Sequence, residues 1–404
     1  MKVLFITAEF PFPMRRGMDI IACTQLEGLS KNHQVTLVSE APESPDSLKA
    51  SGLESLCARV LLADIGKRNS KVRALSQFLG GRSLQMALME NHQVRELAAK
   101  ELTTGDYDVV YIMMSRIADC VDLNSDVPKV LHHVDPAFIK YRRSSIYEPG
   151  WKNVLLELES KRLENFDEQW AKKFSCHLFV SEDDAELYRD RFKVRAEQLP
   201  HTVDLTRFDP RPGIEREPGT VIVTGNMFYA PNVDGVIYFC KNVWGHVRQQ
   251  FPSARLKLVG AKPPASIQKF HGKDQIEVTG FVDDLAAKMQ QATVSVCPVR
   301  LRLGTQTKIL EAMACRVPVV STFEASVGIT AEPGKEILVG HSDEEMAHLI
   351  VEVLQGDHQE IGEAGRRFVE AHHANQASWN KMESILNSVA RPEPVLVQTD
   401  RLVS

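Results

Sequence analysis

The sequence predicts an α/β protein built from two doubly wound, Rossmann-like domains, and three observations predict it. Its 404 residues exceed what one ordinary hydrophobic core takes and suit two domains of near-equal size. The chain opens as strand, loop, helix, strand, the start of a doubly wound sheet. A second series of the same kind begins near Thr220.

Taken in order, Val3–Ile6 is a short apolar run of the buried parallel-strand kind. The loop Phe10-Pro11-Phe12-Pro13 and the turn Arg15-Arg16-Gly17 follow. Ile20, Ile21, Leu26 and Leu29 then form a helical face, and Gln34–Val38 forms the next strand. Further strands are expected at Arg59–Leu62, Val109–Ile112, Lys129–Leu131 and His177–Val180, with a long helix over 151–173 carrying Leu155, Leu156, Leu158, Leu163 and Trp170. The second series places strands at Val221–Val223, Arg255–Val259, Ile276–Val278, Val294–Cys297, Val317–Val320 and Ile337–Val339. Gly260, Pro263, Gly280 and Gly340 punctuate it. The seam falls near Leu199–Arg211, where Pro200 and Pro210 stand. The expected domains are therefore 1–200 and 201–375. A final helix over 376–390, with Trp379, Met382, Ile385 and Leu386 on one side, is expected to pack back on the first domain, and 391–404 is a loose tail.

Composition narrows the function. With 43% hydrophobic and 25% charged residues the chain is neither a disordered protein nor a fibre. A net charge of -5 argues against a nucleic-acid coat, so no nucleic-acid partner is expected. The seven cysteines are scattered and form no CxxC pair, which reads as reduced thiols with no zinc site. No stretch reaches the roughly 20 apolar residues that a bilayer span requires, and the N-terminal apolar run is too short for a signal segment. The expected location is cytoplasmic, with peripheral contact at the inner face of a membrane left open.

The strongest local signal for chemistry runs from Cys297 to Ala314, where a strand ends, a loop turns and a helix begins near Gly304. Glycine lets backbone amides come close to a ligand. The first turn of a helix offers free N–H groups and the positive end of a dipole, which suits a diphosphate. Lys308 and Glu311 are three apart and share a face near that end: the cation can neutralise phosphate, and the carboxylate can accept ribose hydroxyls. Arg300 and Arg302 add charge from the loop. The same spacing equally fits a plain amphipathic helix with Ile309, Leu310 and Met313 inside and Lys308 and Glu311 as a solvated pair.

This stretch, continued by Cys315-Arg316-Val317-Pro318-Val319-Val320, resembles the donor-binding segment of glycosyltransferase family 4. It is closest to a branch of exopolysaccharide sugar transferases with an R-x-x-x-G-x-x-x-K-x-L-E-A-M-A form. Ala8 through Gly17 resembles that family's first loop. Gly225-Asn226-Met227 with Pro231-Asn232-Val233-Asp234 resembles the turn that opens its C-terminal domain, and Gly280-Phe281-Val282 resembles its base-binding turn. Pro200-His201-Thr202-Val203-Asp204 through Phe208 resembles its domain crossover. The resemblance implies the GT-B fold, two Rossmann-like domains with a deep cleft between them, and a transferase that moves a sugar from a nucleotide diphosphate donor to a glycan, lipid-linked or other acceptor. It also implies retention of configuration, no metal and no cofactor, the nucleotide sugar being a substrate. By the same resemblance Gly17, Arg300, Arg302, Gly304, Thr305, Gln306 and Lys308 serve the diphosphate, and Gly225, Gly280, Phe281, Val282 and Glu311 serve the nucleoside.

The sequence departs from the family pattern at Leu303, an apolar residue where a first glutamate usually stands, and at Met227 and Tyr229, where basic residues are usual. Leu303 keeps two other readings open: a catalytically silent protein that binds a nucleotide sugar or glycan, and a sugar-nucleotide epimerase. On the acceptor side, Leu131-His132-His133-Val134-Asp135 ends a strand at the edge where open α/β sheets place ligand groups. His133 and Asp135 are two apart on an extended stretch and so reach one side, Asp135 as base or as the group that orients His133. A strand-end aspartate capping the turn at Pro136, over packed histidines, is the competing account. The basic runs Lys67–Arg73 and Lys140–Arg143 fit either a solvated face or anionic lipid.

Overall fold

The computed structural model describes residues 1–14, 17–42, 44–145, 150–301 and 304–390. Arg15, Arg16, Arg302, Leu303 and the tail 391–404 lie outside the described residues. The chain divides into two units, one of Met1–Phe179, Asp184–Leu199 and the chain from Trp379 on, the other of Val180–Asp183 and Pro200–Ser378.

The first unit holds a seven-stranded sheet of β1 (Lys2–Thr7), β2 (Gln34–Glu40), β3 (Arg59–Ala63), β4 (Val109–Met113), β5 (Lys129–Val134), β6 (Cys176–Phe179) and β7 (Ala196–Gln198), in the order β3-β2-β1-β4-β5-β6-β7. Every pairing is parallel. Leu4, Ile6, Val110, Ile112 and Leu131 are among the residues of one buried cluster. Phe138, Leu163, Phe179, Tyr188 and Phe192 are among those of a second. The closing helix Asn375–Ala390 is held here because Trp379 donates from Nε1 to the Thr24 carbonyl at 2.8 Å. Its ring fills the space that Gly28 leaves open, where an added Cβ would overlap the indole, and Lys31 Nζ lies 3.5 Å from the ring centroid. Strand β7 escapes sequence patterning because Ala196-Glu197-Gln198 offers no apolar run.

The second unit holds six parallel strands, β8 (Thr220–Thr224), β9 (Arg255–Val259), β10 (Ile276–Gly280), β11 (Val294–Cys297), β12 (Val319–Thr322) and β13 (Leu338–Gly340), in the order β10-β9-β8-β11-β12-β13. Helices cover both faces, so the strands are apolar at nearly every position. Val221 and Val223 join one core cluster while Ile222 between them joins another, and Leu258 and Val259 divide the same way. In each unit the strand order reverses beside its first strand, between β1 and β4 and between β8 and β11, and open sheets bind ligands outside the carboxyl ends of the strands at such a point.

A chain of buried histidines runs through the core of the first unit. His177 Nε2 donates to the Ala171 carbonyl at 2.9 Å, so its Nδ1 accepts from His133 Nε2 at 2.9 Å. Both rings are neutral in this arrangement, and burial holds the His177 imidazole down at about 4. A histidine whose folded value lies below its unfolded one contributes stability above the unfolded value, about 6.5, and loses it as pH falls toward the folded one. The urea midpoint is therefore expected to drop between pH 6.5 and 4.5, with a shallower drop in His177→Gln. Equal slopes in the two proteins would remove His177 from the account.

Candidate active site

The second unit gathers its candidate residues at the carboxyl edge of its sheet, around the reversal between β8 and β11. Strand β8 is followed by Gly225, whose φ of +154° belongs to the region that favours glycine. Here the backbone turns into the helix Ala230–Tyr238, with Asn232 buried in its first turn. Asn232 Nδ2 donates to the Asn226 carbonyl at 2.9 Å, which turns its Oδ1 toward Lys308 Nζ at 2.6 Å. Lys308 Nζ also donates to Gln306 Oε1 at 3.2 Å. A Cβ added at Gly225 would stand 3.5 Å from the ammonium, so bare backbone and a cation face each other across the reversal.

Two more glycines make this approach possible. A Cβ on Gly235 would come 2.5 Å from the Pro298 carbonyl oxygen, so only glycine lets this helix lie against the exit of β11. At the end of β9, a Cβ on Gly260 would fall inside the Gly225 carbonyl oxygen and 2.9 Å from Met227 Cγ. The Gly260 N–H meanwhile donates to the Gly280 carbonyl at 2.9 Å, tying the ends of β9 and β10 together.

The loop after β11 reaches the helix Thr307–Ala314, which starts three residues later than Gly304. Gly304 lies in the loop with φ +61°, where a Cβ is disfavoured. Thr305 donates from Oγ1 to the Gly328 carbonyl at 3.4 Å. Gln306 is the N-cap, and its side chain makes no capping hydrogen bond. The Ile309 N–H donates to the Gln306 carbonyl at 2.9 Å, whereas no side chain of the cap residue covers the amides of Thr307 and Lys308 at the positive end of the helix. Ile309, Leu310 and Met313 are buried beneath, as the amphipathic pattern requires. Lys308 and Glu311 do not form the solvated pair that the spacing allowed: both are half-buried, and the ammonium is turned to Asn232 and Gln306. Burial pushes the Glu311 carboxyl up, against the opposing pull of Arg207 and Lys308.

Arg300 is exposed, forks onto Asp234 through Nε at 3.1 Å and Nη2 at 2.8 Å, and lies 4.2 Å over the Tyr238 ring. Its charge therefore sits beside a carboxylate rather than standing open to a phosphate. Gly280 has φ +75°, Phe281 is exposed beyond it and Val282 is half-buried, so the end of β10 presents an aromatic face to solvent. Arg302 and Leu303 lie outside the described residues.

In the first unit, Gly17 is the exposed first residue of the helix Gly17–Asn32. His133 and Asp135 do not share a side. The pairing of β5 with β6 is irregular between His132 and Val134, and Val134 has φ +72°, which breaks the extended stretch. His133 is consequently buried, stacked 4.7 Å from Phe179 and tilted against Tyr188 at 4.9 Å, and desolvation holds its imidazole well below the ordinary range. The expectation that His133 works on an acceptor is corrected on this ground: the ring packs the core. Asp135 leaves the strand half-buried, with Oδ1 shielded from solvent and without a hydrogen-bond partner, and burial pushes its carboxyl up.

Sequence reasoning did not single out Asn232 or Gly260 as site residues. Asn232 stood in a quoted motif, and its pairing with Lys308 spans 76 positions. Gly260 read only as punctuation, because its need for a bare Cα comes from another strand's end.

Residues 218–356, which include this whole cluster, match the family model described as Glycosyl transferases group 1. An uncharacterized 44.6 kDa protein in the cps region of Klebsiella pneumoniae is 21% identical over 355 residues, covering 85% of this chain and 88% of that protein. The fold is similar to a sucrose-phosphate synthase from Thermosynechococcus elongatus, with TM-score 0.68 and 16% identity over 96% of this chain and 98% of that one. It is also similar to Anabaena HepE in complex with UDP-glucose, with TM-score 0.63 and 14% identity over 96% and 100% of the two chains. The chain has the GT-B fold. The stretch 218–356 is its Glycosyl transferases group 1 region.

Proposed function

We propose that this protein is a glycosyltransferase that takes its sugar from a nucleoside diphosphate donor and passes it to a glycan or lipid-linked acceptor, with retention of configuration and without a metal or cofactor. The observation that carries the reading is the meeting of Lys308, Asn232 and Gln306 with the bare backbone of Gly225 at the strand-order reversal of the second unit. A cation, a side-chain amide and helix amides converge there on a space suited to a diphosphate, and binding of UDP-glucose by the structurally similar HepE supports it. In this reading the loop and first-turn amides from Thr305 to Lys308 hold the leaving diphosphate, Gly280, Phe281 and Val282 take the base, and Glu311 accepts ribose hydroxyls. Fixed positive charge on the leaving group supplies most of the transition-state stabilisation. Asp135, in the first unit, serves the acceptor.

Calorimetry with UDP and GDP on the full chain tests this. Binding is expected to survive EDTA, and Lys308→Ala is expected to weaken it at least about tenfold, the lower range for a charge-assisted hydrogen bond. Loss of binding on chelation would sink the metal-free reading. Unchanged affinity in Lys308→Ala would return that lysine to a structural role.

A further inference from the structure

The helix Lys71–Leu79 buries Ala74 and Phe78 and leaves its other apolar residues in water. Val72 is 79% exposed, Leu75 54% and Leu79 77%. At positions i, i+3 and i+7 they form one stripe along the helix. A helix of a globular unit ordinarily turns such a stripe inward, so this one carries two apolar faces. Beside it packs the helix Trp151–Trp170: Arg162 lies 3.8 Å over the Phe78 ring and donates to the Arg82 carbonyl at 3.1 Å. That neighbour carries its own exposed stripe at the same spacing, Trp151, Val154 and Leu158.

Charge indicates what covers these residues. From Ile65 to Met89 there is no aspartate or glutamate, in a chain whose net charge is -5, while Lys67, Lys71 and Arg73 stand exposed in that stretch. Arg68 and Arg82 from the same stretch are taken up by Glu40 and by Glu90 and Asp119, so their charge is spent inside the unit. Exposed aliphatic residues on a helix that also carries Lys71 and Arg73 in water, just after Lys67, suit an interface where acyl chains meet anionic headgroups, and a tryptophan exposed on the neighbouring helix suits the same boundary. No helix among the described residues is long and apolar enough to cross a membrane, which leaves lying on the surface as the mode of contact.

We propose that the Lys71–Leu79 helix, together with the exposed stripe of the Trp151–Trp170 helix, docks this protein on the surface of an anionic lipid bilayer. Val72, Leu75, Leu79 and Trp151 enter the headgroup boundary, and Lys67, Lys71 and Arg73 meet phosphate. The inference is independent of the sugar-transfer reading, because its readout is binding to vesicles that carry no acceptor.

The test is co-sedimentation of the full chain with vesicles of phosphatidylcholine alone or mixed with phosphatidylglycerol. Binding is expected to the mixed vesicles, to weaken with added salt, and to be negligible on phosphatidylcholine. Tryptophan emission should shift to the blue on binding and lose that shift in Trp151→Phe. Leu75→Ser with Leu79→Ser should abolish binding. Lys71→Gln with Arg73→Gln should weaken it roughly 25-fold, two cations each contributing about fivefold near such a surface. Both pairs are exposed, and unchanged thermal unfolding confirms that the variants fold. Equal binding to both vesicle types would overturn the proposal. So would absence of vesicle binding together with a dimer that Leu75→Ser and Leu79→Ser dissociate, which would assign the stripe to a second copy of the chain.

Discussion

Gly260→Ala is expected to destabilise the second unit by about 3 kcal/mol, the upper part of the usual range for overpacking, and to abolish nucleotide binding with it. The added methyl has nowhere to go. It would overlap the Gly225 carbonyl oxygen and press on Met227, and the first of these is backbone that cannot rotate away. Relief requires the end of β8 to move, and that backbone supports Asn232, which holds Lys308. A neighbouring control is Gly245→Ala, on the solvent side of a helix with nothing within 4 Å of the new Cβ, which should be neutral or stabilising. Urea unfolding and calorimetry with UDP on both variants measure the two effects. A Gly260→Ala protein with wild-type stability and affinity would show that the strand ends yield more readily than their packing implies.

Asp135→Asn is expected to do two things that ordinarily oppose each other: slow sugar transfer about 100-fold or more, the usual worth of a general base, and raise the melting temperature. Burial raises the Asp135 carboxyl in the folded protein, and Oδ1 has no hydrogen-bond partner. An acid raised on folding costs stability at every pH above its unfolded value, because the ionised form is favoured in the unfolded chain. The neutral amide removes that cost and keeps the shape. A group kept at the edge of a sheet at such a cost fits a role in function. Nucleotide affinity should be unchanged, since Asp135 belongs to the first unit. Glu311→Gln should behave in the opposite way, raising KM for the donor at least as much as it lowers kcat. If Asp135→Asn is more stable but transfers at nearly the wild-type rate, the leaving phosphate takes the acceptor proton and the aspartate is no base.

Sequence by itself determined the two series of parallel strands. Buried parallel strands are continuous apolar runs, and Val221-Ile222-Val223 or Val109-Val110-Tyr111-Ile112 admit little else. It also determined the loop-to-helix segment with Gly304, Lys308 and Glu311, whose order along the chain is their order in space. What it did not determine was direction and partnership. That Lys308 turns to Asn232 rather than pairing with Glu311 depends on Gly235 and Gly260 letting three strand ends close on one another, contacts between residues far apart in the chain. That His133 enters the core while Asp135 leaves the strand depends on one irregularity in the pairing of β5 with β6, and period-two reasoning assumes an unbroken strand. That Val72, Leu75 and Leu79 remain in water follows from which face of their helix the neighbouring helix covers. Local pattern encodes periodicity and therefore elements. Only packing decides which face is covered and which side chain is left to meet a ligand.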